Sequence, residues 1–408
     1  MNHYLKRRKE IYKTIEEHGC FISIANDLIV KSADSHFPFE VNKNFYYLTG
    51  IHQDNSVLLI IKSKKEVKEM LFIKDIDPTM EKWVGKFISF EKAKHISGCN
   101  DVFPLSTLQA TLNRLALRIP IHKLYLDHHK NEVDAQELAM DRFVKKMFSH
   151  VSLPVVLHQH IIHQMRAIKS TEEIEAIKAA IHVSKEAFEH CLRVKKTLTH
   201  EQHIQATLEY SFKMNSACPG FETIVAAHHR ATILHYVENN QKIEEGALVL
   251  VDMGAKLGHY SSDISRTFPH QQTFTPIQKK AMNVVLDAMD VVFQLCKPGT
   301  LLKDLNQAVL DFYKVRLVEE GFINHESEVN QVYYHGVSHF LGLDIHDVGQ
   351  YDDTVLHEGH IITVEPGLYI ESINLGIRIE DNVLITNNGY ENLSHDIIKR
   401  VEEIEGFV

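Results

Sequence analysis

The chain has 408 residues, 44% hydrophobic and 24% charged, with a formal net charge of −10. That length makes two domains the natural expectation, and the composition is that of an ordinary globular protein. The acidic balance argues against nucleic acid or an anionic membrane as a partner, and no run approaches the roughly 18 apolar residues of a membrane span.

From the start of the chain, KRRK at 6–9 is the one basic cluster and reads as the solvated face of a helix. FISIANDLIV, 21–30, is broken by Asn26 and Asp27 and does not make a signal-peptide core. SVLLIIK (56–62) and EMLFIKD (69–75) are short apolar runs between polar clusters and predict buried strands. Segments near 106–118 and 132–148 have helical periodicity. Trp83, the only tryptophan, is a candidate core residue. Around LHQHIIHQMRAIKS (157–170) the pattern changes, which places a domain boundary near 160 and gives domains 1–160 and 161–408. Ser170 with Glu173 forms a capping-box pair, and Ile174, Ile177, Ile181, Phe188 and Cys191 follow at helical spacing. Thr199 with Gln202 predicts a second helix start, and Thr275-Pro276 with Gln278 a third. The fold class is α/β (α+β). The five cysteines (Cys20, Cys99, Cys191, Cys218, Cys296) are scattered and odd in number, as expected of reduced thiols in a cytoplasmic protein. With 28 histidines spread along the chain, any one of them needs supporting context.

After residue 245 the carboxylates draw notice. ALVLVDMGAKLGHYSSDISRTF (247–268) reads as two strands around a tight Leu257-Gly258 turn. A two-residue loop there predicts Asp252 opposite Asp263. HIITVEPGLYI (360–370) and GIRIEDNVLI (376–385) repeat the arrangement: Glu365 and Glu380 face each other across an even loop. Between the hairpins lies HGVSHFLGLDIHD (335–347), with His335, His339 and His346. His335 and His339 have the spacing of a zinc-protease helix. Gly336 stands where that motif needs glutamate, however, and Gly342 would interrupt a helix, so the segment reads as irregular or extended. Four converging carboxylates, with His339 as a candidate imidazole, suit hard or borderline dications, and so acidic a set can hold two. Mn²⁺ fits the ligand softness best, with Zn²⁺, Co²⁺ and Fe²⁺ as alternatives. Paired metals that polarise a carbonyl and acidify a bridging water point to hydrolysis.

DMGAKLGHYSSDISRTFP, HGVSHFLGLDIHDVG, TVEPGLYI and GIRIEDNVLIT together resemble the signature segments of the pita-bread metallopeptidases, and within them the aminopeptidase P branch. The resemblance covers about 218–406, with a weaker match at NKNFYYLTGI (42–51) and EKWVG (81–85). It implies a pita-bread catalytic domain, an antiparallel sheet flanked by helices, behind a smaller mixed α/β domain. It implies two metals per subunit, bridged by Asp263 and Glu380 and completed by Asp252 on one side and His339 with Glu365 on the other. Glu365 would handle the proton of the attacking water, which acts as a metal-bridging hydroxide. His346 and His235 would bond the substrate carbonyl or the tetrahedral intermediate, His335 would line the pocket near the second residue, and Arg378 would orient carboxylates. The implied substrates are peptides with proline second, and the implied assembly is a homodimer or homotetramer. In relatives a tryptophan near Trp83 can approach a neighbouring subunit's active site.

Two departures bear on substrate preference: Ala227, His228, His229 and Arg230 replace the small residues and asparagine usual in relatives, and Phe221 stands where some place a tyrosine. The nearest rival is an Xaa-Pro dipeptidase (prolidase), against which Ser338 counts because prolidases more often have glycine there. A non-catalytic pita-bread binding protein and a creatinase-like, metal-free hydrolase are opposed by the complete ligand set. A methionine aminopeptidase is opposed by the large first domain.

Overall fold

The computed structural model describes residues 2–127, 139–148, 153–271, 273–349 and 353–407. It divides into two compact units, Met1–Met165 and Arg166–Val408.

The first unit is built on a six-stranded sheet in the order Asp101–Pro104, Val67–Ile73, Val57–Lys62, Gly19–Ile24, Lys123–Leu126, Val155–Leu157. Only Val57–Lys62 runs against the others. It is buried along nearly its whole length, which explains its unbroken apolar run. The helix expected near 106–118 spans Leu108–Ala116, and that expected over 132–148 is seen as Ala139–Phe148, with 132–138 outside the described residues. Four of the five thiols are buried and Cys218 is exposed; all five are free.

Two expectations fail in this unit. KRRK is not a solvated face, because Arg7 and Arg8 are both buried. Arg8 donates to Glu69 through Nε and Nη2 (2.7 and 3.0 Å), and its Nη1 donates to the carbonyls of Leu48 and Ser97. Those carbonyls close the helices Lys43–Thr49 and Phe90–Ser97, so one guanidinium satisfies two helix ends and a carboxylate. Arg7 lies over the Tyr47 ring, 3.8 Å from its centroid. Trp83 is not a core residue: it is 82% exposed on the short helix Glu81–Val84, whose four residues supply no buried face.

In the second unit the helix Thr171–Val194 starts at the expected Ser170/Glu173 capping box, and Pro276–Leu295 at the Thr275/Gln278 box. The helix expected from Thr199 begins one residue later, as Glu201–Met214 after His200. The Thr199 hydroxyl is engaged with Nδ1 of the neighbouring His200 (3.0 Å) and does not cap. These helices accompany small antiparallel sheets. In one, Leu248–Met253 lies between Ile224–Ala227 and Ile264–Pro269; in another, Asp381–Thr386 lies between Ile361–Val364 and Gly389–Asn392.

The first hairpin differs from expectation by one residue at its turn. Leu257 pairs with Tyr260, so the loop is Gly258-His259, with glycine at the leading position and a φ of +65°. The register then sets Asp252 opposite Ser265, and Asp263 lies diagonally, still on the same face. The second hairpin has the expected register. Val364 pairs with Asp381 and Gly367 with Arg378, which leaves Glu365 and Glu380 opposed between two stretches of ladder. Their own amides leave that ladder: Glu365 N donates to Val337 O (2.9 Å) and Glu380 N to Ser265 O (3.0 Å). The break therefore ties the second hairpin to the first and to the histidine segment, which is irregular as expected.

Replacing Arg8 by Ala leaves Glu69 and two helix ends without their shared partner, and the expected loss is about 3–5 kcal/mol. It is read as a lower urea midpoint for the transition that reports the first unit. An unchanged midpoint would show that the buried guanidinium is dispensable.

Candidate metal centre

The two hairpins and the histidine segment bring Asp252, Asp263, His339, Glu365 and Glu380 to one place. Nε2 of His339 lies 3.4 Å from Asp263 Oδ2, 3.5 Å from Glu365 Oε1 and 4.0 Å from Glu380 Oε1. Ligand atoms of Asp263, His339 and Glu380 all lie within 4.8 Å of one another. Asp252 reaches this group through Arg378, whose Nη2 donates to its Oδ2 at 2.7 Å. Its other oxygen, Oδ1, is buried with no hydrogen-bond partner among the described residues.

Each ligand candidate is held from behind. Nδ1 of His339 bonds the carbonyl of Phe340 (3.0 Å), which turns Nε2 toward the acids. Arg378 Nε donates to Ser265 Oγ (2.8 Å), and Ser265 in turn donates to Glu380 Oε2 (2.8 Å). Thr363 bonds Glu365 Oε1 (3.3 Å) and accepts from the His339 amide (3.0 Å). Asn382 bridges the backbone of Asp263, accepting from its N–H (3.1 Å) and donating to its C=O (2.6 Å). Sequence reasoning passed over Ser265, Thr363 and Asn382. Each stands two residues from a ligand candidate, which in a strand is the same face, and that spacing could have flagged them.

The electrostatics favour positive charge at this spot. Burial, reinforced by mutual repulsion, raises Asp252 to about 6, and raises Asp263, Glu365 and Glu380 as well. Burial opposes protonation of His339, but its hydrogen bond with Asp263 and the charges of Glu365 and Asp263 outweigh that and raise it to about 9. A set that pulls a proton onto an imidazole accommodates dications well, and its oxygen-rich donors with one imidazole match hard or borderline metals. With the unpartnered Asp252 Oδ1, these residues fit a dinuclear metal site.

The other candidates surround this group. His346 is exposed at its outer edge but packs edge-on against His339, with ring centroids 4.5 Å apart, and is lowered by partial desolvation and then by His339. His335 is lowered to about 4, first by burial and then by Arg378, and its Nε2 faces Tyr369 Oη at 2.8 Å. His235 is exposed and lies within electrostatic reach of His335 and His346. Arg230, one of the unusual residues, belongs elsewhere: it is buried against Glu201 (2.7 Å) and braces the segment carrying His228 and His229.

A family signature for Metallopeptidase family M24 matches residues 175–387, and one for the Aminopeptidase P N-terminal domain matches residues 4–123. The chain is 29% identical to the Xaa-Pro aminopeptidase of Escherichia coli over 99% of its own length and 97% of the relative's. A Bacillus anthracis structure provisionally named aminopeptidase P is 40% identical, with a TM-score of 0.96 over 99% of this chain and 97% of that one. Zinc-substituted E. coli aminopeptidase P in complex with product is 29% identical, with a TM-score of 0.91 over 99% of this chain and 97% of that one.

In chelator-treated protein the raised acids favour the folded state only while protonated. For Asp252 that contribution is present below its ordinary 3.8 and is lost as pH rises through about 6. A bound cation acts in the opposite sense, since it must displace those protons. A dication at 100 times its Kd is expected to stabilise the fold by about 2.7 kcal/mol at pH 8 and by less at pH 5. Thermal melts at both pH values measure it, and no shift at pH 8 would remove the metal assignment.

Proposed function

We propose, from the premise that the chain belongs to metallopeptidase family M24 and is a metal-dependent exopeptidase, that it releases the first residue from peptides whose second residue is proline. The observation that carries this is the convergence of four carboxylates and His339, with His346 and His335 and the rings of Tyr333 and Tyr369 nearby. Asp263 and Glu380, deepest in the group, are the residues suited to hold both metals, with Asp252, His339 and Glu365 completing the set. Mn²⁺ is the proposed metal, on ligand softness. Two dications there supply Lewis acidity toward the peptide carbonyl and acidify water beside it.

The chain's own residues do the rest. Glu365, raised by burial, accepts the proton of the attacking water and returns it to the leaving nitrogen. His346, lowered and so neutral near pH 7, offers an N–H donor to the oxygen on which charge develops, a role that His235, exposed as His346 is, would share. His335 is held by the Tyr369 hydroxyl and flanked by the rings of Tyr333 and Tyr369, at 5.0 and 5.5 Å. A proline ring brings no N–H to such a wall, so the wall need not supply an acceptor. Arg378 keeps Asp252 in place through Nη2 and steadies Glu380 through Ser265.

With Mn²⁺ present, a length series of Xaa-Pro peptides is expected to lose the first residue from dipeptides and longer substrates alike. Cleavage of dipeptides alone would make the protein a prolidase, and intact peptides throughout would overturn the assignment. Glu365→Gln is expected to lower kcat by about 10²-fold or more, with the protein folded and its metal content checked. Near-parental turnover would take the proton-transfer role from Glu365.

A further inference from the structure

Next to the site lies a buried ionic group that the chemistry above does not use. Asp347, immediately after His346, is 2% exposed. Its Oδ1 lies 2.5 Å from Arg166 Nη2 and its Oδ2 lies 2.9 Å from Lys169 Nζ; both cations are themselves buried. Together they hold the carboxylate below its ordinary range against the burial that would raise it. Arg166 also pairs with the half-buried Asp344 (2.7 Å). Lys169 is fixed by its own backbone, its N–H donating to Gly359 O (2.8 Å), just before the strand that leads to Glu365.

Asp347 closes a loop. Its amide donates to Phe340 O (2.8 Å), the same carbonyl that Nδ1 of His339 engages. The chain leaves this carbonyl after His339 and comes back to it at Asp347, so the two ends of the loop present His339 and His346 side by side. Close approaches allow no slack. A Cβ on Gly342 would stand 2.1 Å from Asp347 Oδ2, and one on Gly349 would stand 2.3 Å from the Phe340 ring. Burying one anion against two cations costs desolvation that a purely apolar loop base would avoid. What the ionic group adds over such a base is direction: two fixed donors leave the carboxylate a single orientation.

We propose that Asp347, held by Arg166 and Lys169, is a positioning residue that sets His346 against His339 for the reaction. The inference rests on His346 acting on the substrate as proposed above. The two carboxylate oxygens of Asp347 are engaged by Arg166 and Lys169, so the residue acts through the loop. A general stability role would let its effect on turnover multiply with any active-site lesion, whereas a positioning role makes its effect disappear once the His346 ring is gone.

The test is a double-mutant cycle on the Mn²⁺-loaded protein with an Xaa-Pro tripeptide. Asp347→Asn is expected to lower kcat about 10-fold or more, with KM within about threefold and metal content unchanged. In the His346→Ala background it is expected to lower kcat by less than about twofold further. A full multiplicative loss in that background overturns the proposal, as does parental kcat in Asp347→Asn. Should Asp347→Asn lack a cooperative melt, Lys169→Met, which keeps the Arg166 pair, takes its place in the same cycle and is judged by the same two outcomes. Spectra of ¹⁵N-histidine-labelled protein loaded with diamagnetic Zn²⁺ in place of Mn²⁺ read the arrangement without turnover. His346 is expected to give one set of ring-nitrogen signals in the parent and a split or broadened set in the variant, and an unchanged set overturns the proposal. A parent that cleaves no peptide would defeat the proposed function, and these spectra would still decide the positioning.

Discussion

Buried carboxylates that face one another repel, and the rest of the second unit is arranged around that constraint. Asp252, Asp263, Glu365 and Glu380 stand in a group where burial alone already opposes their charge. The fold keeps them together by fixing the backbone that carries each acid, rather than by neutralising each one. Glu365 and Glu380 give up pairing with each other and send their amides to Val337 and Ser265. Arg378 supplies a counter-charge from behind, bonding Asp252 directly and Glu380 through Ser265. What remains unbalanced is the affinity of the site for dications.

A second set of buried charges stiffens the frame. Arg266, fully buried, bonds the carbonyls of Ser265 and Glu380, the carboxylate of Asp381, and the carbonyls of Ile397 and Ile398. Lys399 reaches the other oxygen of Asp381 at 2.7 Å, and the two cations hold that acid at about 2 against the burial that would raise it. Arg266 and Asp381 each follow a site residue directly in sequence, so their side chains point to the opposite side of the strands from Ser265 and Glu380. One face of each strand thus meets substrate chemistry while the other is fastened by ion pairs. Satisfied networks of this kind favour one arrangement over its neighbours.

Much of this was legible in the sequence, for physical reasons. Capping boxes at Ser170 and Thr275 are local and were read correctly, because two residues three positions apart determine each. The opposition of Glu365 and Glu380 followed from parity alone, since an even loop preserves facing whatever its length. The first hairpin was harder: glycine can lead or close a two-residue loop, and the choice shifts the register, so Asp252 faces Ser265 rather than Asp263. Arg8 was misread because a basic run looks solvated unless its acceptors are known, and those acceptors lie about 40 to 90 residues away along the chain. The partners of Asp347 were invisible for the same reason, although the aspartate itself sat in plain view beside His346.

The fastening of Arg266 by Ile397 and Ile398 also sets how far a lesion is felt. Those carbonyls follow Arg266 by 131 and 132 residues along the chain, yet they meet the same guanidinium that bonds the carbonyls of Ser265 and Glu380. Damage to that distant segment would therefore be inherited by both hairpins.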